Sequence, residues 1–295
     1  MDLIAGIAAH IESATGQRVD AAGASGVGGG SISRAFRLGA GDGAYFVKTN
    51  AGDGADAMFQ AEAEGLRLLD QANALRVPRP VCSGVHGAHA YLVLEHIEFG
   101  RPGVDGGRRM GEGLAVVHGC LAERFGWERD NTIGSTPQIN TPDDDWVRFF
   151  RHRRLGYQLE LARGNGYARQ LSEPGERLLE LLDVFFTDYR PRPSLLHGDL
   201  WGGNAAFDTA GRPVIFDPAV YYGDRETDLA MTELFGGFPA GFHEAYQAAW
   251  PLDPGYAVRR DLYQLYHVLN HVNLFGGGYL AGARRLIDRL LAHAR

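Results

Sequence analysis

The residues best suited to chemistry stand close together in the second half of the chain. They are His197-Gly198-Asp199-Leu200-Trp201-Gly202-Gly203-Asn204, then the apolar Val214-Ile215-Phe216, then Asp217-Pro218. From Asp199 the asparagine lies five residues on (204 − 199) and the second aspartate eighteen (217 − 199). Phosphoryl transfer asks for such a set: one carboxylate to orient and deprotonate an attacking hydroxyl, and oxygen ligands to hold Mg²⁺ against nucleotide phosphates. The order, with the base first, a metal-binding Asn next and an Asp on the following strand, is that of a kinase catalytic loop. Leu195-Leu196 before the loop and Val214-Ile215-Phe216 after it are short apolar runs able to place Asp199, Asn204 and Asp217 on one edge of a hairpin-like loop. Each residue also has a plainer role: Asp199 capping a turn, Asn204 in a left-handed position, Asp217 ahead of a proline turn. Those roles leave the joint order, and an upstream lysine, without a reason.

That lysine is Lys48 in Phe46-Val47-Lys48, where β-alternation turns Val47 to one face and the charge to the other. Glu62 and Glu64, in Gln60-Ala61-Glu62-Ala63-Glu64, are both available as its partner. A Lys–Glu pair alone is more often a surface ion pair worth at most about 1 kcal/mol; joined to the downstream acids it reads as a phosphate ligand. The upstream loop Gly26-Val27-Gly28-Gly29-Gly30-Ser31 lets backbone N–H groups approach phosphates without Cβ obstruction. Its motif is weak. No Lys-Ser or Lys-Thr follows, so it is not a Walker A loop, and Ile32–Leu38 after it looks like a strand, whereas a dinucleotide loop opens a helix.

The elements that must carry these residues follow from periodicity. Residues 3–15 read as an amphipathic helix, followed by a small-residue stretch ending in the glycine cluster. Ile32–Leu38 and Tyr45–Thr49 are strand-like and separated by Gly39-Ala40-Gly41-Asp42-Gly43, which predicts a hairpin. Ala57–Ala74 has helical spacing and is closed off by Pro78 and Pro80; Val81–Val85 and Ala90–Glu95 are again strands. Beyond Gly100 the pattern turns helical, over 109–120, 145–163, 174–189, 227–235, 241–250 and 256–275. The expected class is α+β: a small N-terminal lobe of antiparallel sheet and helix over 1–98, then a larger, mostly helical lobe over 99–295, with ligands expected in a cleft.

Composition narrows the field. The 295 residues carry a net charge of −7, which argues against a nucleic-acid binder and suits a neutral or cationic acceptor. The basic run Arg151-His152-Arg153-Arg154 reads as a solvated helix face. No apolar run reaches bilayer length, so no membrane partner is expected. The opening MDLIAGIAAHIES lacks the basic start of a secretory signal, and a cytoplasmic enzyme is expected. Two cysteines, Cys82 and Cys120, lie without metal-ligand spacing and read as inert thiols.

Longer segments resemble the fructosamine kinase (ketosamine 3-kinase) family, a branch of the aminoglycoside phosphotransferase and choline kinase-like group. They are FVKTN, FQAEAEGL, YLVLEHI, LAVVHG, FGWERDNTIGSTPQINTPDDDWVRFFRHRRL, HGDLWGGN, FDPAVYYGDRETDLAMTELFGGF and LNHVNLFGGGY. The resemblance implies a protein-kinase-like two-lobed fold and transfer of the ATP γ-phosphate to the 3-hydroxyl of a ketosamine, whose 3-phosphate breaks down and frees the amine. It implies ATP and Mg²⁺ as cofactors, with Asp199 as base, Asn204 and Asp217 on the metal, Lys48 on phosphate with Glu62 its helix partner, and Gly28, Gly29 and Gly30 over the nucleotide. Glu95, His96 and Ile97 are similar to the hinge that binds adenine through the backbone. Trp201 resembles the family tryptophan near the sugar; its alternative is packing. Asn131, Gln138 and Asn140 either bond sugar hydroxyls or close turns, and His271 and Asn273 contact substrate or bond within the core. Monomer and homodimer both stay open.

Ser31 stands where some relatives carry an oxidisable cysteine, so thiol control is not expected. Asp217-Pro218-Ala219 replaces the DFG of protein kinases and no Ala-Pro-Glu segment follows, which speaks against folded protein substrates as phosphate acceptors. Asp143-Asp144-Asp145 reads as a helix N-cap, His118 as an interior hydrogen-bonded residue, and Glu226 and Asp228 as charges holding the loop through Arg225 or another base. The competing readings are a kinase of the same fold acting on an aminoglycoside, amino alcohol or free sugar, and a nucleotide-binding scaffold without turnover.

Overall fold

The computed structural model describes residues 3–28, 33–41 and 43–294. The chain divides into two compact units, Met1–Gly106 with Ala206–Pro218, and Gly107–Ala205 with Ala219–Arg295.

The first unit is built on alternation. Its elements run α1 (Leu3–Thr15), β1 (Asp20–Val27), β2 (Arg34–Ala40), β3 (Gly43–Asn50), α2 (Ala55–Gln71), β4 (Pro80–His86) and β5 (His89–Glu95). The five strands form one antiparallel sheet in the order β1-β2-β3-β5-β4. Tyr45 and Val47 of β3 and Tyr91 and Val93 of β5 point to one face, where they pack with Leu38 and with Ile7 and Ile11 of α1. Lys48, paired in register with Leu92, therefore faces the other way. Helix α2 lies against β4 and β5 and buries Phe59, Ala63, Leu66 and Leu69. With both faces covered, β5 is a continuous apolar run from Ala90 to Leu94, all buried. The stretch 20–27, read from sequence only as small residues, is a mostly exposed edge strand.

The second unit is helical apart from short ribbons. It takes in α3 (Gly106–His118), the hairpin β6 (Asn131–Ile133) and β7 (Thr136–Gln138), α4 (Trp146–Phe149), α5 (Gly156–Gly164), α6 (Glu173–Glu180) and β8 (Ser194–Leu196). The chain then contributes β9 (Ala205–Phe207) and β10 (Pro213–Ile215) and resumes with β11 (Tyr221–Gly223), α7 (Glu226–Leu234), α8 (Phe242–Ala249), α9 (Tyr256–Phe275) and α10 (Leu280–His293). Helix α9 is the spine: Leu262, Tyr263, Leu265, Tyr266, Leu269 and Val272 are buried and the helix packs on α5, α7 and α10. The single helix expected over 145–163 is α4 and α5 joined by a π-helical stretch, Phe150–Leu155. The one expected over 174–189 ends at Glu180 and continues as a 3₁₀ turn, Leu182–Phe186.

The excursion through β9 and β10 belongs to the first unit. Arg76 donates its N–H to Pro213 O (3.2 Å) and accepts from Ile215 N (3.0 Å), while its guanidinium meets Asp208 and Glu95, each at 2.6 Å. Burial pushes the Asp208 carboxyl up, but the Arg212 N–H and the Arg76 and Arg212 side chains outweigh it and hold the pKa well below the carboxylate range. No helix among the described residues is long and apolar enough to cross a membrane.

Candidate active site

In the second unit, β8 delivers the chain into His197-Gly198-Asp199, and β11, paired with it through Tyr221↔Leu196, holds the return. Gly198 has φ 83°, and a Cβ there would lie 2.0 Å from Ala219 O; only glycine fits this turn. Asp228 on α7, 1% exposed, accepts the N–H groups of His197 (2.7 Å) and Gly198 (2.9 Å). His118 Nε2 lies 3.2 Å from the same carboxylate and its Nδ1 2.7 Å from Tyr246 Oη. Burial would push Asp228 up, but the His118 and His197 side chains and the Gly198 N–H keep it below the carboxylate range. It holds the loop directly, not through Arg225, whose guanidinium bonds Tyr246 and the carbonyls of Trp250 and Pro251. Asn204 closes a 3₁₀ turn, Gly202–Asn204, and donates Nδ2 to Asp199 O (2.9 Å) and Asp199 Oδ2 (3.2 Å). Asn204 and Asp199 are thus coupled in geometry, and Asn204 is not the left-handed residue. That conformation belongs to Asp217, φ 56°.

In the first unit, Lys48 Nζ donates to Glu62 Oε1 at 2.6 Å and to Asp217 Oδ1 at 2.8 Å. The lysine and Glu62 side chains are each 12% exposed, Asp217 43%. Burial alone would lower the lysine pKa; the two carboxylates outweigh it and keep Nζ charged, above the usual lysine range. The pairing selects Glu62 over Glu64. Glu95 ends β5 with its side chain on Arg76 and Arg79; its N–H donates to Arg79 O and that of His96 to Ala44 O. Ile97 follows, buried. Gly28 follows β1 and is exposed; Gly29, Gly30 and Ser31 lie outside the described residues.

The polar loop of the second unit is a hydrogen-bonded network. Gln138, 1% exposed, donates Nε2 to Asn131 Oδ1 (2.8 Å) and Ala219 O (3.0 Å) and accepts from Tyr266 Oη (2.8 Å). Asn131 donates to Val220 O (2.8 Å), and Asn140, fully buried, donates to Asn131 Oδ1 (2.9 Å). Arg154 also is fully buried, contrary to the solvated face its basic neighbours suggested. It donates to Asn140 Oδ1 (2.7 Å) and Ile139 O (2.7 Å), with its guanidinium carbon 3.9 Å from the Tyr221 ring centroid. Asn131, Gln138 and Asn140 spend their amides on protein and position the segment Ala219–Val220.

The surface beside the loop is aromatic. Trp201 is 40% exposed and meets Phe235 edge to face at 6.2 Å; Phe235 meets His271 at 5.1 Å. His271 in turn meets Phe275 at 5.7 Å and Tyr279 at 5.0 Å. The close passage of Gly202 past Gly236, where a Cβ would sit 2.8 Å from the carbonyl, sets Phe235 beside the loop. Asn273, by contrast, is tied to Gln158 O and Oε1 (2.9 and 2.8 Å). The sequence signal for Phe235, Phe275 and Tyr279 was their place in the segments ending LFGGF and LFGGGY.

An antiparallel sheet with a strand lysine ion-paired to a helix glutamate, and a His-Gly-Asp loop with Asn and Asp behind it in kinase order, define a phosphotransferase of the protein-kinase-like fold. Within that class the chain belongs to the fructosamine kinase family, whose model matches residues 3–293. It is 48% identical to "Probable ketoamine kinase" of Synechocystis sp., across 97% of this chain and 96% of that one. It is 45% identical to the chloroplastic protein-ribulosamine 3-kinase of Arabidopsis thaliana, across 90% and 81%. The crystal structure of "Putative fructosamine-3-kinase" from Haemophilus somnus superposes with a TM-score of 0.88 at 27% identity, covering 97% and 96%.

Proposed function

We propose that the protein transfers the γ-phosphoryl group of ATP to the 3-hydroxyl of a ketosamine, with Asp199 as the base. Family membership and the similarity to a ribulosamine 3-kinase support the substrate class. The observation that carries the catalytic role is the clamp on the loop: two backbone N–H groups on Asp228 and the Asn204 amide on Asp199 fix one carboxylate in place before any substrate arrives.

In this reading an Asp199 carboxylate oxygen accepts the hydroxyl proton as the sugar oxygen bonds to the γ-phosphorus and the bond to the ADP oxygen breaks. Lys48, held charged by Glu62 and Asp217, sits on the nucleotide phosphates, and the backbone of Glu95 and Ile97 takes adenine. Gly28, Gly29 and Gly30 cover the phosphates. Asn204 and Asp217 would hold Mg²⁺ through an amide oxygen and a carboxylate, hard donors that suit it, and the ion would supply positive charge against the nucleotide phosphates. Trp201 and His271 face the acceptor. We place the enzyme in a reducing, cytoplasmic setting on its acidic, cysteine-poor composition.

A 3-phosphate adjoins the ketone. Enolisation toward the amine-bearing carbon lets phosphate leave, and the imine so formed hydrolyses to free amine, which makes the reaction a repair of glycated amines. The test is ADP release with Mg²⁺ and, one at a time, fructose-lysine, ribulose-lysine, an aminoglycoside and choline. Turnover with either ketosamine is expected; turnover with the aminoglycoside or choline alone would overturn the substrate while keeping the fold and base.

A further inference from the structure

Five rings stand in one row on the second unit: Trp201, Phe235, His271, Phe275 and Tyr279, each within 6.4 Å of the next. Trp201, Phe235 and Phe275 are 40%, 44% and 53% exposed, an apolar patch beyond what scattered surface residues make. The row begins two residues after Asp199 and is continuous with the catalytic loop. At its centre His271 Nδ1 lies 2.8 Å from His267 O. A carbonyl only accepts, so Nδ1 carries the hydrogen and Nε2 keeps its lone pair. Burial lowers its pKa further than the His267 carbonyl raises it, which favours the neutral ring. A neutral acceptor ringed by π-faces is the chemistry that recognises an ammonium group: the faces attract the charge within about 6 Å of a centroid and the lone pair takes an N–H.

Resting on the ketosamine reading, we infer that this row binds the protonated secondary amine of the substrate, with His271 Nε2 accepting its N–H and Phe235 and Trp201 facing its charge, while Phe275 and Tyr279 carry the adjoining alkyl chain. A ketosamine bears that amine on the carbon next to its ketone, close to the 3-hydroxyl, so one substrate can meet Asp199 and the row at once. The row selects aminated sugars over the same sugars without a charge.

The test compares fructose-lysine with its ether isostere, in which oxygen replaces the amine nitrogen on the same carbon chain. Wild-type kcat/KM should favour the amine about tenfold or more, a ratio in the range of one cation–π contact plus a hydrogen bond, and the difference should lie in KM. In Phe235→Leu and in His271→Leu that ratio should fall toward one, with the far-ultraviolet circular dichroism of wild type confirming the fold. Equal kcat/KM for amine and ether in the wild-type enzyme would overturn the inference and leave the kinase reading standing. A ratio unchanged in both variants would overturn it as well. No turnover of either compound would sink the ketosamine reading, and this inference with it.

Discussion

Asp199 and Asn204 form one hydrogen-bonded piece, so a substitution can remove the base while keeping its shape. Asp199→Asn should leave MgATP affinity within a few-fold by calorimetry and lower turnover by about a hundredfold or more, the scale general bases contribute. Equal losses in affinity and turnover would contradict the role. Asp217→Ala should instead weaken the Mg²⁺-dependent part of nucleotide binding, and unchanged MgATP affinity in that variant would remove Asp217 from the metal. Asp228 acts one step back. Its folded pKa is depressed, so its ionised form contributes stability in full above the unfolded carboxylate value, about 3.9; that contribution is lost as pH falls through the folded pKa. Asp228→Asn should cost about 1–3 kcal/mol near neutrality, the price of a buried bond left imperfect. The gap in melting temperature from wild type should narrow below about pH 4; a gap constant from pH 7 to pH 3 would show that ionisation at this site does not matter. These acids were legible because their spacing is local. The N–H partners of Asp228, on His197 and Gly198, are 31 and 30 residues away, beyond what periodicity reports.

At the scale of elements, the strands that alternate were readable and those that do not were missed. β3 showed its lysine face because Tyr45 and Val47 alternate with it, whereas β6 and β7, three residues each, gave no period and read as a polar loop. The stretch 280–293 carries a helical stripe of its own, Ala283, Leu286, Ile287 and Leu290. Arg154 is the sharpest case. Its neighbours are basic, and only the fold reveals Tyr221 and Asn140 around it. Arg154→Met should unpair Ile139 O and Asn140 Oδ1, at about 1–3 kcal/mol for each buried acceptor, and loosen the β8–β11 ribbon. A denaturant midpoint equal to wild type would contradict this. Arg154→Lys should not restore it, because an ammonium lacks the planar fork and the ring-stacking face.

At the scale of the whole molecule, the first unit is not a continuous stretch of chain. Residues 206–218 supply the bonds to Arg76 and the carboxylates Asp208 and Asp217. A fragment ending at Gly106 should therefore lack a cooperative thermal transition, and adding the peptide 206–218 should raise its helix and sheet content. A sharp two-state melt of the fragment alone would contradict that. The α+β character and the change to helix beyond Gly100 were readable from periodicity; the return of 206–218 was not, because no local pattern says where a hairpin packs. Transfer to the 3-hydroxyl is read directly by two-dimensional ³¹P–¹H NMR of the product from ATP, Mg²⁺ and fructose-lysine. A phosphorus signal coupled to the proton on the third sugar carbon, giving way to inorganic phosphate as free lysine appears, is the predicted result. Phosphate on another carbon, or only ATP hydrolysis with the sugar unchanged, would contradict it.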